Sequence, residues 1–170
     1  MSPARGVVRV YRDDQALIFQ VEGRATMAHS AAVRRLAEQS LARGVRILRV
    51  DLRHSTYLDS TFLGTLLVLK RTVARQGLAE FTLVCPSPEC ERLLEMMGLN
   101  SLFASVTMEE PATVPLLEFT GDFNDVAAFR HDVIQAHQEL ASLPGSAGAP
   151  FRAVTRCLEQ SADAPPNQQV

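Results

Sequence analysis

The 170 residues carry 17 Lys and Arg against 19 Asp and Glu, and this near-neutral balance excludes the basic surface expected of a DNA- or RNA-binding protein. With 46% apolar residues the chain can bury one core, and its apolar runs are much shorter than the roughly 20 residues that span a bilayer. The three cysteines have no metal or disulfide spacing and the N-terminus has no secretion signal, so we expect a cytoplasmic protein without metal or cofactor.

The first predicted elements are a β-hairpin and a helix. Segments 6–12 and 16–23 are β-branched and apolar, and Asp13 suits the turn between them because its short side chain can bond to the local backbone. From 27 to 43 the apolar residues recur every three or four positions, which predicts a helix that ends at Gly44.

This first helix carries the densest positive group in the sequence, formed by Arg34, Arg35 and Arg43. Such residues usually form a solvated helix face. An acidic surface of a partner protein is the alternative contact for them.

Strands and helices alternate along the next part of the chain. We predict a strand at 45–52, a helix up to Arg75, a strand at 81–85, a helix from Ser87 to Gly98 and a short strand at 102–108. This order predicts an α/β fold with a mixed, mostly parallel sheet that begins with the N-terminal hairpin.

The C-terminal third has a different pattern. Segment 109–115 is a break with two prolines, and apolar residues then recur at helical spacing, which predicts an amphipathic helix that begins near Asp125. A shorter helical face follows around 151–158. We therefore divide the chain into a domain at 1–108, a helical extension at 109–160 and a disordered tail at 161–170. The late helices either brace the domain or bind a partner or a second copy, which would give a homo-oligomer.

Asp59, Ser60 and Thr61 lie between the predicted strand and the long helix. Asp59 is placed to cap the helix by accepting a hydrogen bond from the amide of Thr61 or Phe62. The hydroxyls of Ser60 and Thr61 would then point into water at the positive end of the helix, where a phosphate would meet free amides. Phosphorylation would add nearly two negative charges that a docked partner must repel or desolvate. The residues alone also fit a purely structural cap.

The stretch "VDLRHSTYLDSTFLG" resembles the signature of STAS domains in anti-sigma factor antagonists, where D-S-[ST]-G-L-G opens a helix after a strand that ends in V-D-L. Downstream "FTLVCPSPECERLLEMMGLNSLF" and upstream "LIFQVEGRAT" are similar to that family as well, so the resemblance covers roughly 7–108. In the family, the serine after the aspartate accepts a phosphate from a serine kinase that doubles as an anti-sigma factor, and a phosphatase removes it.

The resemblance implies a bacterial, non-enzymatic module that regulates transcription by partner switching. It implies phosphorylation at Ser60, with Thr61 as the alternative, and no insertion into a membrane. The partner-binding residues that it implies are Asp59, Ser60, Thr61, Phe62 and Thr65.

Two residues depart from the family pattern. Phe62 stands where the motif has Gly, and its ring can cover Ser60, contact a partner or join the core. Ala25 stands where many relatives have Asp. The alternative function is a non-phosphorylated STAS scaffold subunit of a transporter or of an oligomeric signalling complex. A third hypothesis is a small-ligand sensor with an apolar pocket formed by Phe62 and Tyr57.

Histidine-based chemistry has little support in the sequence. His54, Asp59 and Ser60 lie in one loop that lacks the glycine-flanked turn of serine hydrolases, so we assign no catalytic residue. His131 and His137 lie six residues apart, on different faces of the predicted helix, which argues against a shared metal and for solvated side chains.

Overall fold

The computed structural model describes residues 6–77, 80–121 and 126–163, without the side chains of 126–129 and 162–163. The strands within these residues are β1 (Val7–Arg12), β2 (Ala16–Ala25), β3 (Ile47–Leu58), β4 (Glu80–Val84), β5 (Ser105–Val106) and β6 (Leu117–Phe119). The helices in the same part of the chain are α1 (Met27–Ala42), α2 (Ser60–Arg75), α3 (Pro88–Met96), α4 (Val126–Ala141) and α5 (Ala149–Asp163), with a 3₁₀ turn at Asn100–Leu102.

The described strands form one sheet in the order β5-β4-β3-β2-β1-β6. β2, β3, β4 and β5 pair in parallel, whereas β1 pairs antiparallel with β2 and with β6. The predicted mixed, mostly parallel α/β sheet with an N-terminal hairpin is therefore confirmed. In the hairpin turn, the Asp13 carboxylate accepts hydrogen bonds from the amides of Gln15 (2.9 Å) and Ala16 (2.7 Å), and these bonds lower its pKa.

The prediction was wrong about where the third strand ends. We expected a loop after residue 52, but β3 continues to Leu58 because β2 keeps pairing with it across two register shifts. Ser55 supports this extension, since its hydroxyl donates to the carbonyl of Gly23 over 3.2 Å. Because β3 ends at Leu58, Asp59 lies directly between this strand and the first residue of α2.

Most of the circumference of α2 is buried, as its apolar residues predicted. Phe62, Leu63, Leu66 and Leu69 are completely inaccessible to solvent and belong to the main core. Of the three roles open to the Phe62 ring, the structure thus shows the third, packing in the core.

The segment after Met108 contributes to the sheet and to the helical layer. β6 pairs with β1, with Val8 opposite Phe119, whereas the sequence predicted no element between the break at 109–115 and the helix that begins near Asp125. α4 packs against α1 and α2, and α5 packs against α4, so the late helices brace their own domain. The division of the chain at Met108 remains a prediction.

The ends of these late helices differ partly from expectation. α5 continues to Asp163, so the expected disorder from residue 161 was wrong for the first three residues, because the helical hydrogen bonds of α5 extend through them. Residues 164–170 lie outside the described residues, as does Asp125, the expected start of α4.

None of the helices that the structure describes is both long enough and apolar enough to cross a membrane. Within the same residues, no three His, Cys, Asp or Glu side chains lie together in a way that could hold a metal ion.

Candidate functional site

Asp59 joins the starts of two helices. Its Oδ1 accepts a hydrogen bond from the Phe62 amide over 2.8 Å, which confirms the predicted cap of α2. Its Oδ2 accepts a second bond from the amide of Met27, the first residue of α1, over 2.7 Å. One carboxylate therefore satisfies a free amide in the first turn of each helix and fixes the two N-termini side by side.

Ser60 is the first residue of α2 and is half-buried, but its hydroxyl does not point into water. Its Oγ lies 3.1 Å from His137 Nε2 on α4. The other ring nitrogen, Nδ1, lies 2.8 Å from the carbonyl of Val133, which can only accept, so Nδ1 carries a proton. In the neutral ring Nε2 is then an acceptor, and Ser60 donates its hydroxyl proton to it. The predicted solvated hydroxyl was wrong because a helix far along the chain covers it.

The other proposed docking residues lie inside the protein. Thr61, Phe62 and Thr65 are 1%, 0% and 2% exposed. The Thr65 hydroxyl donates to the carbonyl of Thr61 over 2.9 Å, a bond within α2. The expectation that Thr61 points into water was wrong, since the side chain packs inward from the first turn. The predicted patch is accordingly not a free surface.

α4 approaches α2 at Gly64. A Cβ atom on this glycine would lie only 2.2 Å from the carbonyl oxygen of Ala136, so the two helices touch with their backbones here. His137, the next residue, is 7% exposed, and the prediction that it is solvated was wrong. The sequence does hold a signal for this burial, because His137 shares one helical stripe with Val133, Ala136 and Leu140.

Two arginines hold α4 from either side. Arg34 of α1 donates from Nη1 to Asp132 Oδ1 over 3.1 Å and also to the side chain of Gln135. Arg71 of α2 places Nη1 2.5 Å from Glu139 Oε2, an ion pair without an aligned hydrogen bond. Burial raises the pKa of the Asp132 carboxyl, and the nearby Arg34 charge offsets this effect only in part. Arg34, for which an acidic partner surface was one predicted contact, is thus paired with acidic groups of its own chain.

The remaining candidates are not brought together. His54 Nε2 lies 2.5 Å from Glu110 Oε1 at the surface, and this hydrogen bond lowers the pKa of the Glu110 carboxyl. Tyr57 is also at the surface, with the Arg24 guanidinium 4.0 Å above its ring. The hydrolase arrangement is not formed, since Asp59 binds two amides and His54 binds a different carboxylate. Phe62 and Tyr57 do not form the apolar pocket of the small-ligand hypothesis, because Phe62 is in the core and Tyr57 is at the surface.

Comparison with known proteins agrees with this architecture. The family model described as STAS domain matches residues 7–112. A STAS-domain containing protein of Pseudomonas aeruginosa is 37% identical over 92 residues, which are 54% of this chain and 88% of that protein.

Solved structures with a similar fold include the anti-sigma factor antagonist SpoIIAA in its unphosphorylated form, with a TM-score of 0.53 and 14% identity over 61% of this chain and 89% of that one. An anti-sigma factor antagonist from Mycobacterium paratuberculosis has a TM-score of 0.52 and 21% identity over 62% of this chain and 89% of that one. At these identities the likeness shows the fold alone.

Proposed function

Because the chain belongs to the STAS domain family, we propose that it is a non-enzymatic regulatory module of the anti-sigma factor antagonist type, switched by phosphorylation at Ser60. Its partner in this proposal is an anti-sigma factor that is also a serine kinase, and a phosphatase resets it. The site of action is the bacterial cytoplasm, where the partner supplies the ATP site and the module supplies the acceptor hydroxyl.

The position of Ser60 carries this proposal. It is the first residue of α2, directly after the Asp59 cap, and its side chain is half-buried. A phosphate at this point lies at the positive end of the helix, beside amides that the helix itself cannot satisfy. Phosphorylation is therefore compatible with the fold of α2, whereas Thr61 at 1% exposure is a much poorer acceptor.

The physical basis of the switch is the added charge. A phosphoserine carries about −1.5 to −2 charges at neutral pH, and a partner docked over Ser60 would have to desolvate or repel them. Loss of about 3 kcal/mol of binding free energy weakens affinity roughly a hundredfold, which is enough to exchange one partner for another.

Access to Ser60 requires α4 to move. The Ser60 hydroxyl donates to His137, so a kinase must reach a conformation in which this bond is broken. The same movement would expose Ser60 beside Asp59 as part of the partner-binding site, whereas Thr61, Phe62 and Thr65 are buried and Phe62 belongs to the main core. We therefore expect phosphorylation to be faster in variants that weaken the contact between α2 and α4.

The direct test is to incubate the full chain with ATP and candidate serine kinases, and to map any phosphate by mass spectrometry. We expect modification of the wild-type chain and of Thr56→Ala, a control that removes an exposed hydroxyl of β3, but none of Ser60→Ala. Ser60→Asp should bind the kinase more weakly than Ser60→Ala does. Equal binding by these two variants, without phosphate on the wild-type chain, would exclude the switch.

The packing of the late helices also bears on the scaffold alternative, in which these helices would join the chain to other subunits. α4 and α5 already have binding sites within their own chain, on α2 and on each other. A scaffold that uses them for assembly would first have to release them.

A further inference from the structure

We propose that the face of α1 and α2 now covered by α4 is a docking surface for an acidic helix of the partner protein, and that α4 competes with this helix from within the chain. The inference rests on the proposed binding function and specifies the chemistry of its partner. The docking face is defined by Arg34, Ser60, Gly64 and Arg71. The residues of α4 that contact this face indicate which residues a partner helix needs in order to bind there.

Gly64 makes this face specific for a helix with a small residue at its centre. The missing side chain lets the Ala136 backbone approach so closely that a Cβ on Gly64 would lie 2.2 Å from its carbonyl oxygen. Ala136 itself is fully buried. A helix with a large residue at this buried position would not approach α2 as closely as α4 does.

The charges on the face select acidic groups on both sides of that small residue. Arg34 meets Asp132, four residues before Ala136, and Arg71 meets Glu139, three residues after it. A helix with Asp or Glu, a small residue and again Asp or Glu at positions i, i+4 and i+7 therefore matches the face. Such pairs contribute more to orientation and partner choice than to net affinity.

Several polar contacts of α4 could be replaced by contacts with water or with a partner. The Ser60–His137 bond is polar, and the Arg71 side chain remains 45% exposed in its ion pair with Glu139. Water can replace Glu139 as the partner of this exposed guanidinium when α4 leaves. α4 also begins beyond residue 112, where the match to the family model ends. The docking face therefore lies within the matched region, whereas α4, which now covers it, lies outside that region.

The test uses full-length protein and a labelled synthetic peptide with residues 126–141. Ala136→Glu places a charged side chain at the buried crossing and should release α4 in its own chain. His131→Ala, on the exposed side of the same helix, is the matched control. By fluorescence anisotropy, the Ala136→Glu chain should bind the peptide at least tenfold more tightly than the wild-type and His131→Ala chains, in which α4 competes.

Charge reversal tests the proposed recognition. A peptide with Asp132→Lys and Glu139→Lys should lose at least tenfold in affinity for the Ala136→Glu chain. The affinity should return when that chain also carries Arg34→Glu and Arg71→Glu. A chain that keeps its circular dichroism spectrum but binds no peptide, or binds both peptides equally, would overturn the proposal.

A second variant keeps the test decisive if Ala136→Glu unfolds the chain. Asp132→Lys with Glu139→Lys in the full chain should release α4 by repulsion from Arg34 and Arg71, and it must then bind the native peptide. Since no kinase or phosphate takes part, failure here leaves the Ser60 assay unaffected, and an unphosphorylated Ser60 leaves the peptide result unaffected.

Discussion

Single side chains at the start of α2 decide both local stability and access to Ser60. Asp59 combines two hydrogen bonds that would otherwise need two residues, one to each helix start. His137 fixes the Ser60 hydroxyl, with its own tautomer set by the carbonyl of Val133. The residue that stabilises the fold and the residue that covers the site are therefore different and can be changed separately.

Removing the Asp59 carboxylate should destabilise the whole domain. We expect Asp59→Ala to lower the free energy of unfolding by about 2 kcal/mol, since a helix cap and a further hydrogen bond each contribute about 1 kcal/mol. Asp59→Asn keeps one acceptor oxygen and should lose about half as much. Urea denaturation measures both, with Asp14→Ala in the exposed turn as a control that changes little. An Asn variant as unstable as the Ala variant would contradict the assignment of about half of the stabilisation to each carboxylate oxygen.

At the level of elements, the sequence predicts what local periodicity controls. The hairpin, α1, α2 and the cap by Asp59 follow from alternation, helical spacing and capping residues within about 15 positions. β6 could not be predicted in this way, because a three-residue edge strand has no pattern and its pairing with β1 is non-local. The Ser60–His137 bond joins residues 77 positions apart, so only the packing of α4 reveals it.

The crossing of α2 and α4 predicts an unusual sign for a glycine substitution. Gly64→Ala normally favours a helix by about 1 kcal/mol, but here the new Cβ would collide with the Ala136 backbone. We expect hydrogen exchange in α4 to speed up at least tenfold while exchange in β2 and β3 is unchanged. Ala74→Ser, which adds one atom on the exposed side of α2, should leave α4 protected. Unchanged protection in Gly64→Ala would show that the crossing can adjust.

The contact between α1 and α4 should depend on pH through Asp132. Its pKa is raised above the ordinary value of 3.8, mainly by burial, so the folded chain holds this proton more tightly than the unfolded chain. Its contribution to stability is then greatest at low pH and falls as the pH rises through the raised pKa. Relative to Asp132→Asn, the wild-type chain should lose stability over this range in urea denaturation. A constant difference between the two at all pH values would exclude Asp132 as the titrating group.

On the scale of the whole molecule, the C-terminal segment has two separable parts. β6 completes the edge of the sheet next to β1, whereas α4 covers α2, α5 packs on α4, and Leu140 of α4 and Leu143 just after it belong to the main core. The residue at which a truncated chain ends therefore decides whether its properties report the loss of the helices alone or of the helices and the sheet edge together. A chain that ends at Met108 loses the sheet edge as well as the helices, and one that ends at Gly121 loses the helices alone.

We expect a chain that ends at Gly121 to stay folded and to expose the apolar surface beneath α4. Since Leu140 and Leu143 are nearly inaccessible in the full chain, their removal uncovers core residues and should increase binding of a hydrophobic dye several-fold. The full chain should be a monomer by light scattering, because both late helices pack within it, and the shortened chain should show a larger apparent mass from self-association. An oligomeric full chain that becomes monomeric at Gly121 would show the reverse, that the late helices join copies of the protein, and would favour the scaffold function.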